Sequence, residues 1–163
     1  MDELIPAIVQ VIREEIDLYR ELMAHARQKT ALLVRGTLGA ILESNKVDET
    51  YNLKLRVLED ELGRLILQAC QLLRIPREQF TLLRLAENAD PAAAEEIRSL
   101  ATLFRNLVEQ LKRVNQRNMR LIEGSLRYSR GLVDFIANAT GSYQSTGLLR
   151  PYPAHPPTLS SRA

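Results

Sequence analysis

Residues 97–136, IRSLATLFRNLVEQLKRVNQRNMRLIEGSLRYSRGLVDFI, form the longest segment of the chain with helical periodicity, and the rest of the fold has to accommodate it. Its apolar residues recur at steps of three and four, which places them along one side of an α-helix. A helix of this length needs long partner helices to cover that side. The resulting seam is formed by Ile97, Leu100, Phe104, Leu107, Leu111, Val114, Asn118, Leu121, Ser125, Tyr128, Leu132 and Phe135.

Two earlier segments supply such partners. The spacing of isoleucines predicts a first amphipathic helix over Asp2–Arg35. Gly36 suits the left-handed position that ends a helix, and Thr37 suits the N-cap of the next one. The second helix is predicted over Leu38–Ile75 and ends before Pro76, which cannot continue the hydrogen-bond ladder. Because the turn between the two helices is short, we expect them to be antiparallel.

The rest of the chain completes the predicted architecture. A minor helix is expected within Arg77–Asn88, and the long third helix begins with Asp90 as N-cap and Pro91 in the first helical position. After Ala139 the chain becomes rich in Pro, Gly, Ser and Thr. The sequence therefore predicts an all-α fold, an elongated antiparallel three-helix bundle with coiled-coil-like packing, a short connecting helix and a disordered C-terminal tail. The predicted domains are a helical bundle over residues 1–139 and a flexible tail over residues 140–163.

Composition argues against several classes of function. The net charge is +2, with 22 basic and 20 acidic residues spread through the chain, so we expect no nucleic acid partner. One cysteine and two histidines are too few for a zinc site, and neither a glycine-rich phosphate loop nor a nucleophile motif occurs, so we expect neither an enzyme nor a cofactor. Cys70 is interpreted as a small buried hydrophobe and His25 as a helix-surface residue. The N-terminus has no secretory signal and no apolar run is long enough to span a bilayer, so we expect a soluble, cytoplasmic protein without membrane insertion.

The third helix contains two features that periodicity alone leaves open. Asn118 and Ser125 place polar groups in the seam, and Gly124 weakens the helix by about 1 kcal/mol relative to alanine. These residues indicate either register control by a buried asparagine or a soft segment that adjusts to a partner. A second apolar row indicates either contact with both neighbouring helices or an open groove for an incoming amphipathic helix. That row consists of Met119, Ile122, Leu126, Val133 and Ile136.

The same region resembles the C-terminal signature of the FlgN family of flagellar export chaperones. The resemblance is carried by VNQRNMRLIEGSLRYSRGLVDFI followed by TGSYQSTG, in which an Asn-rich turn and a Leu-rich, Ser-containing helix precede a Tyr-x-x-x-Gly element. Upstream, LLVRGTLGAILE is similar to the family's glycine-centred break between helices one and two, and EDELGRLI to its second helix. The matching positions are Asn115, Asn118, Leu121, Ser125, Leu126, Tyr143 and Gly147.

The resemblance implies a cytoplasmic, non-enzymatic chaperone. It would bind the C-terminal helical regions of the hook-filament junction proteins FlgK and FlgL, prevent their premature assembly and deliver them to the export gate component FlhA. Tyr143 is the expected export-gate contact. The first alternative is a helical adaptor or a homo-oligomeric coiled coil, with a homodimer closing the apolar stripe. A nucleic-acid-binding bundle comes third, because the third helix has a local excess of basic residues. The expected client-binding residues are Asn118, Leu121, Ile122, Ser125, Leu126, Val133 and Ile136.

Overall fold

The computed structural model describes residues 3–141, and over that range the chain is helical with no strand. Four α-helices follow one another, α1 (Leu4–Arg35), α2 (Leu38–Leu73), the short α3 (Leu82–Glu87) and α4 (Pro91–Gly141). The predicted all-α class is therefore confirmed. The chain divides into two compact units, the first ending at Leu121 and the second beginning at Ile122.

The turn between α1 and α2 forms as its glycine predicts. Gly36 has φ 70°, in the left-handed region, and its N–H donates to the carbonyl of Leu32 at 3.0 Å. This conformation is open to glycine at little cost, which explains why α1 ends there. Thr37 occupies the N-cap position of α2 with extended backbone, and its carbonyl accepts from the N–H of Ile41 at 3.0 Å.

The end of α2 differs from its prediction by two residues. The helix stops at Leu73 because Arg74 takes the left-handed conformation, with φ 54°. The N–H of Ile75 then donates to the carbonyl of Cys70 at 3.1 Å, and the N–H of Arg74 to that of Gln71 at 3.3 Å. These two bonds form a Schellman motif, in which glycine is more usual than arginine.

Side-chain caps define the next two helix starts. The predicted minor helix is divided into a 3₁₀ turn, Arg77–Gln79, and α3, whose N-cap Thr81 accepts from the N–H of Arg84 at 3.1 Å. The Asp90 carboxylate accepts from the N–H groups of Ala92 and Ala93, both at 3.0 Å. The predicted N-cap of the third long helix is thus confirmed.

Contacts within the first unit give the helix directions. Residues of α1 pair with residues of α2 in opposite order, since Lys29 contacts Asp48 whereas Leu18 packs in one cluster with Leu55. The α1 helix pairs with α4 in the same order, from the Arg13–Glu96 ion pair through the Tyr19–Phe104 ring contact to the Thr30–Asn118 hydrogen bond. The expected antiparallel arrangement of the first two helices is confirmed, and α4 runs parallel to α1.

The core of the first unit consists of two apolar clusters. In the first, α3 contributes the fully buried Leu85, which closes the end of the bundle near the N-terminus of α1. The second lies farther along α1 and includes Leu55 of α2 and Leu111 of α4. Cys70 is a free, buried thiol, as expected. The buried members of the first cluster are Ile5, Ile8, Val9, Ile12, Ile16, Ala69, Leu85, Ala86, Ala94, Ile97 and Leu107.

Two glycines three residues apart should respond to alanine in opposite directions. Gly36→Ala should lower the free energy of unfolding by about 1 kcal/mol, because an L-residue is strained in the left-handed region. Gly39→Ala should raise it by up to about 1 kcal/mol, because Gly39 lies inside α2 and a methyl group there meets no atom within 4 Å. Urea unfolding followed by circular dichroism measures both changes. Equal effects of the two substitutions would contradict the assigned turn.

Candidate functional site

A polar cluster lies between α1 and α2 and brings together the residue types of a hydrolase. His25, Ser44 and Asp48 are within hydrogen-bond distance, and the Lys29 ammonium group contacts both Asp48 and the Asn45 amide oxygen. The interpretation of His25 as a helix-surface residue is wrong, since its side chain is only 12% exposed. It was missed because helical periodicity does not specify which residues of α2 lie opposite it.

The geometry of this cluster does not match a catalytic triad. The Nε2 atom of His25 lies 3.2 Å from the Ser44 hydroxyl and 3.1 Å from the Asp48 carboxylate, so both groups meet the same ring nitrogen. A triad needs the nucleophile and the carboxylate on opposite nitrogens, so that one orients the ring while the other exchanges a proton. The Ser44 side chain is also buried. The cluster therefore joins two helices instead of activating a nucleophile.

Glu15 is a buried carboxyl group on α1. Its side chain is 4% exposed, and burial together with the nearby Glu59 raises its pKa to about 7. Burial also raises the pKa of Tyr19, with smaller contributions from Glu59 and Glu15. Because the Glu15 carboxyl group lies in the interior of the first unit, its ionisation affects the free energy of unfolding.

Among residues 3–141, the His, Cys, Asp and Glu side chains form no group of three or more that could hold a metal ion. The described helices also include none with an apolar stretch long enough to cross a bilayer.

Two shallow grooves open on the first unit. One, of about 460 Å³, runs between α1 and α2 and is lined by acidic, basic and apolar side chains, namely Glu14, Asp17, Leu18, Glu21, Lys54, Val57 and Leu58. The other, of about 440 Å³, lies between α3 and α4 over Phe104 and Val108. Both are open to solvent, whereas small-molecule sites enclose most of their ligand.

Asn118 lies in the interior of the first unit. Its side chain is 5% exposed, its Nδ2 donates to the carbonyl of Ala26 at 3.0 Å, and its Oδ1 accepts from the Thr30 hydroxyl at 2.6 Å. A buried amide with matched partners fixes which residues of α1 and α4 face each other. The position of Asn118 therefore favours the register interpretation of this polar seam residue.

The part of α4 that follows Asn118 presents the other residues expected to bind a client. Ile122 is partly exposed, as is Leu121 just before it, and Ser125 is exposed. Leu126, Val133 and Ile136 are 53%, 65% and 54% exposed. The expected export-gate residue Tyr143 lies outside the described residues.

Three further exposed residues were absent from the expected client-binding set. They are Tyr128, Leu132 and Phe135, and two of them are more than 70% exposed. All three belong to the seam, whose earlier members Leu107 and Leu111 are buried. Helix length is the signal that could have found them, because α4 has 51 residues whereas α1 has 32 and α2 has 36.

The opposite side of this part of α4 is charged. At about 100° per residue, the charged side chains fall within one continuous arc, while the apolar ones occupy the remainder of the helix circumference. An exposed amphipathic helix with a broad apolar side is typical of a surface that binds another protein. The charged arc contains Arg120, Glu123, Arg127, Arg130 and Asp134.

Comparison with known proteins gives one match. A family model described as FlgN protein matches residues 1–151 of the 163-residue chain. No curated protein and no solved structure matches significantly. The match covers all the described residues and includes the exposed apolar side of α4.

The buried Glu15 should make stability depend on pH. Because its pKa is raised in the folded state, the neutral form stabilises the fold at low pH, and this contribution is lost as the pH rises from about 4.5 to about 7. Glu15→Gln, which stays neutral, should unfold like the parent protein at pH 4.5 and be about 1–3 kcal/mol more stable at pH 8. Urea unfolding across this pH range measures the difference.

The exposed neighbour Glu14 provides a matched control for this substitution. The gap between Glu14→Gln and the parent protein should change much less with pH. If the Glu15→Gln and parent stability curves stay parallel from pH 4.5 to pH 8, the assigned burial of Glu15 is wrong.

Proposed function

Because the chain belongs to the FlgN family of flagellar export chaperones, we propose that its clients are the hook-filament junction proteins FlgK and FlgL. The chaperone binds the C-terminal helical region of these subunits in the cytoplasm, prevents their premature assembly and delivers them to the export gate component FlhA. The observation that carries this proposal is the exposed apolar side of α4 between Ile122 and Ile136.

The mechanism follows from burial of apolar surface. Amphipathic helical structure of the client covers exposed apolar side chains of α4 and removes the client's own apolar surface from water, which blocks the contacts that the client uses in assembly. Burying a leucine or valine fully stabilises a complex by about 1.5–3 kcal/mol. Leu126 and Val133 are 53% and 65% exposed before binding, so each can still contribute about half or more of this free energy.

Release of the client must also be possible. Gly124 and Ser125 are weak helix formers at the centre of the proposed surface. A segment with low intrinsic helix stability adds an ordering cost to the complex, which keeps its affinity moderate and its dissociation fast enough for hand-over. The soft-segment interpretation thus applies to Gly124 and Ser125, whereas Asn118 fixes register in the first unit.

Charging the apolar side of α4 should weaken client binding. In Leu126→Glu and Ile122→Glu a carboxylate would be buried against the client helix, so each should raise the Kd for FlgL at least tenfold. Isothermal titration calorimetry with purified FlgL measures the change. Arg127→Glu introduces the same side chain on the charged arc and should change the Kd far less.

Thermal melting of each variant separates lost binding from lost folding. Leu126→Glu should melt within a few degrees of the parent protein because Leu126 is exposed. If both variants bind FlgL with the affinity of the parent protein, the assignment of this surface to client binding is wrong. Sedimentation velocity without client tests the alternative, because a self-associating coiled coil would sediment as a dimer that these substitutions dissociate.

The proposed contact with FlhA should be separable from client binding. Tyr143→Ala should leave the Kd for FlgL unchanged and reduce secretion of FlgK and FlgL, measured in the culture supernatant of flagellated cells. Tyr152→Ala is the matched control, since it removes a second tyrosine that follows Tyr143 in the same C-terminal region. Normal secretion by the Tyr143→Ala strain would contradict the export-gate role.

A further inference from the structure

One position of the repeat in α4 changes character along the helix. This position begins at Arg98 and recurs every seven residues. It holds a basic residue in the first three repeats and an apolar residue in the next three. The basic ones are Arg98, Arg105 and Lys112, and the apolar ones are Met119, Leu126 and Val133. All three apolar side chains are more than half exposed, at 58%, 53% and 65%. We call Leu126 and Val133 the outer row.

The seam provides a second exposed row. In the first unit its residues pack against α1 and α2, as Leu107 and Leu111 do. The same seven-residue repeat continues to Tyr128, Leu132 and Phe135, which are 72%, 42% and 71% exposed. We call these three residues the seam row. The last part of α4 therefore keeps the seam positions that α1 and α2 cover in the first unit. It also has the outer row, at positions that are basic near the start of α4.

The two rows are too far apart for one partner helix. Tyr128 follows Leu126 by two residues, as Phe135 follows Val133, and two residues rotate an α-helix by about 200°. Tyr128 and Phe135 therefore lie about 160° from Leu126 and Val133, and Leu132 lies about 100° from Val133. Together the two rows span about 160–180° of the helix circumference, whereas a helix packed against one neighbour presents an apolar stripe of about 100°. The remaining arc is the charged one, which can stay in water.

We propose that this part of α4 binds two amphipathic helices of the client at once, one along the seam row and one along the outer row. The inference rests on the client-binding function proposed above. Together the three helices form an intermolecular bundle, in which α4 repeats with the client what it does with α1 and α2 in the first unit. A single client helix would leave one row exposed to water, and that row would then contribute no binding free energy.

Paired substitutions test the two rows separately. Leu126→Ser with Val133→Ser removes the outer row, and Tyr128→Ser with Phe135→Ser removes the seam row. Each pair should raise the Kd for full-length FlgL at least tenfold in titration calorimetry, and all four together should raise it further. Arg127→Ser with Asp134→Ser on the charged arc is the matched control and should change the Kd less than about threefold. Loss of affinity from one row alone, with the other neutral, would overturn the proposal.

Amide hydrogen exchange of the bound client gives a second readout. Full-length FlgL should show two separate protected helical segments on the parent chaperone, and the seam-row variant should lose protection in one of them. A single protected segment would overturn the inference and leave the proposed function intact. Failure of the parent protein to bind FlgL or FlgK at all would reject the proposed function instead. If the row variants abolish a dimer seen in sedimentation and leave client affinity unchanged, a second copy occupies the rows, which also overturns the inference.

Discussion

The first unit depends on the burial of one row of isoleucines along α1. Ile8 and Ile16 are at most 2% exposed, and Ile97 of α4 and Leu85 of α3 are fully buried in the same cluster. Each such side chain contributes about 1.5–3 kcal/mol when it leaves water. Because one face of α1 contacts three other elements, the long helices cannot slide independently, and polar groups such as Asn118 are held at fixed places along them.

Much of the fold could be predicted because its signals are local. The left-handed Gly36 and the Asp90 N-cap depend on residues within one turn, and both formed as expected. Arg74 could not be predicted, since arginine carries no signal for a left-handed position. The burial of Glu15 and the partial burial of His25 were not predicted either, because they depend on which residues of neighbouring helices face these side chains. The spacing of apolar residues shows which side of a helix is buried, but it does not show which residues of the other helices contact that side.

The same limit applies to the candidate site. The row containing Leu126 and Val133 could be found from spacing, whereas the openness of Tyr128 and Phe135 could not, since their seam positions are those that a bundle normally buries. The apolar surface extends along one helix without an enclosed cavity, which suits an extended helical partner better than a small molecule. The family match and the geometry of α4 agree on a protein-binding role.

The chain contains a single thiol, that of Cys70 on α2, and it is buried. A thiol buried in this way reacts with an alkylating reagent only during transient openings of the helices around it. Modification kinetics at this one atom therefore report how often the first unit opens, without an engineered label. Because Cys70 is on α2 and not in the two exposed rows of α4, its modification rate could also be measured while cargo is bound.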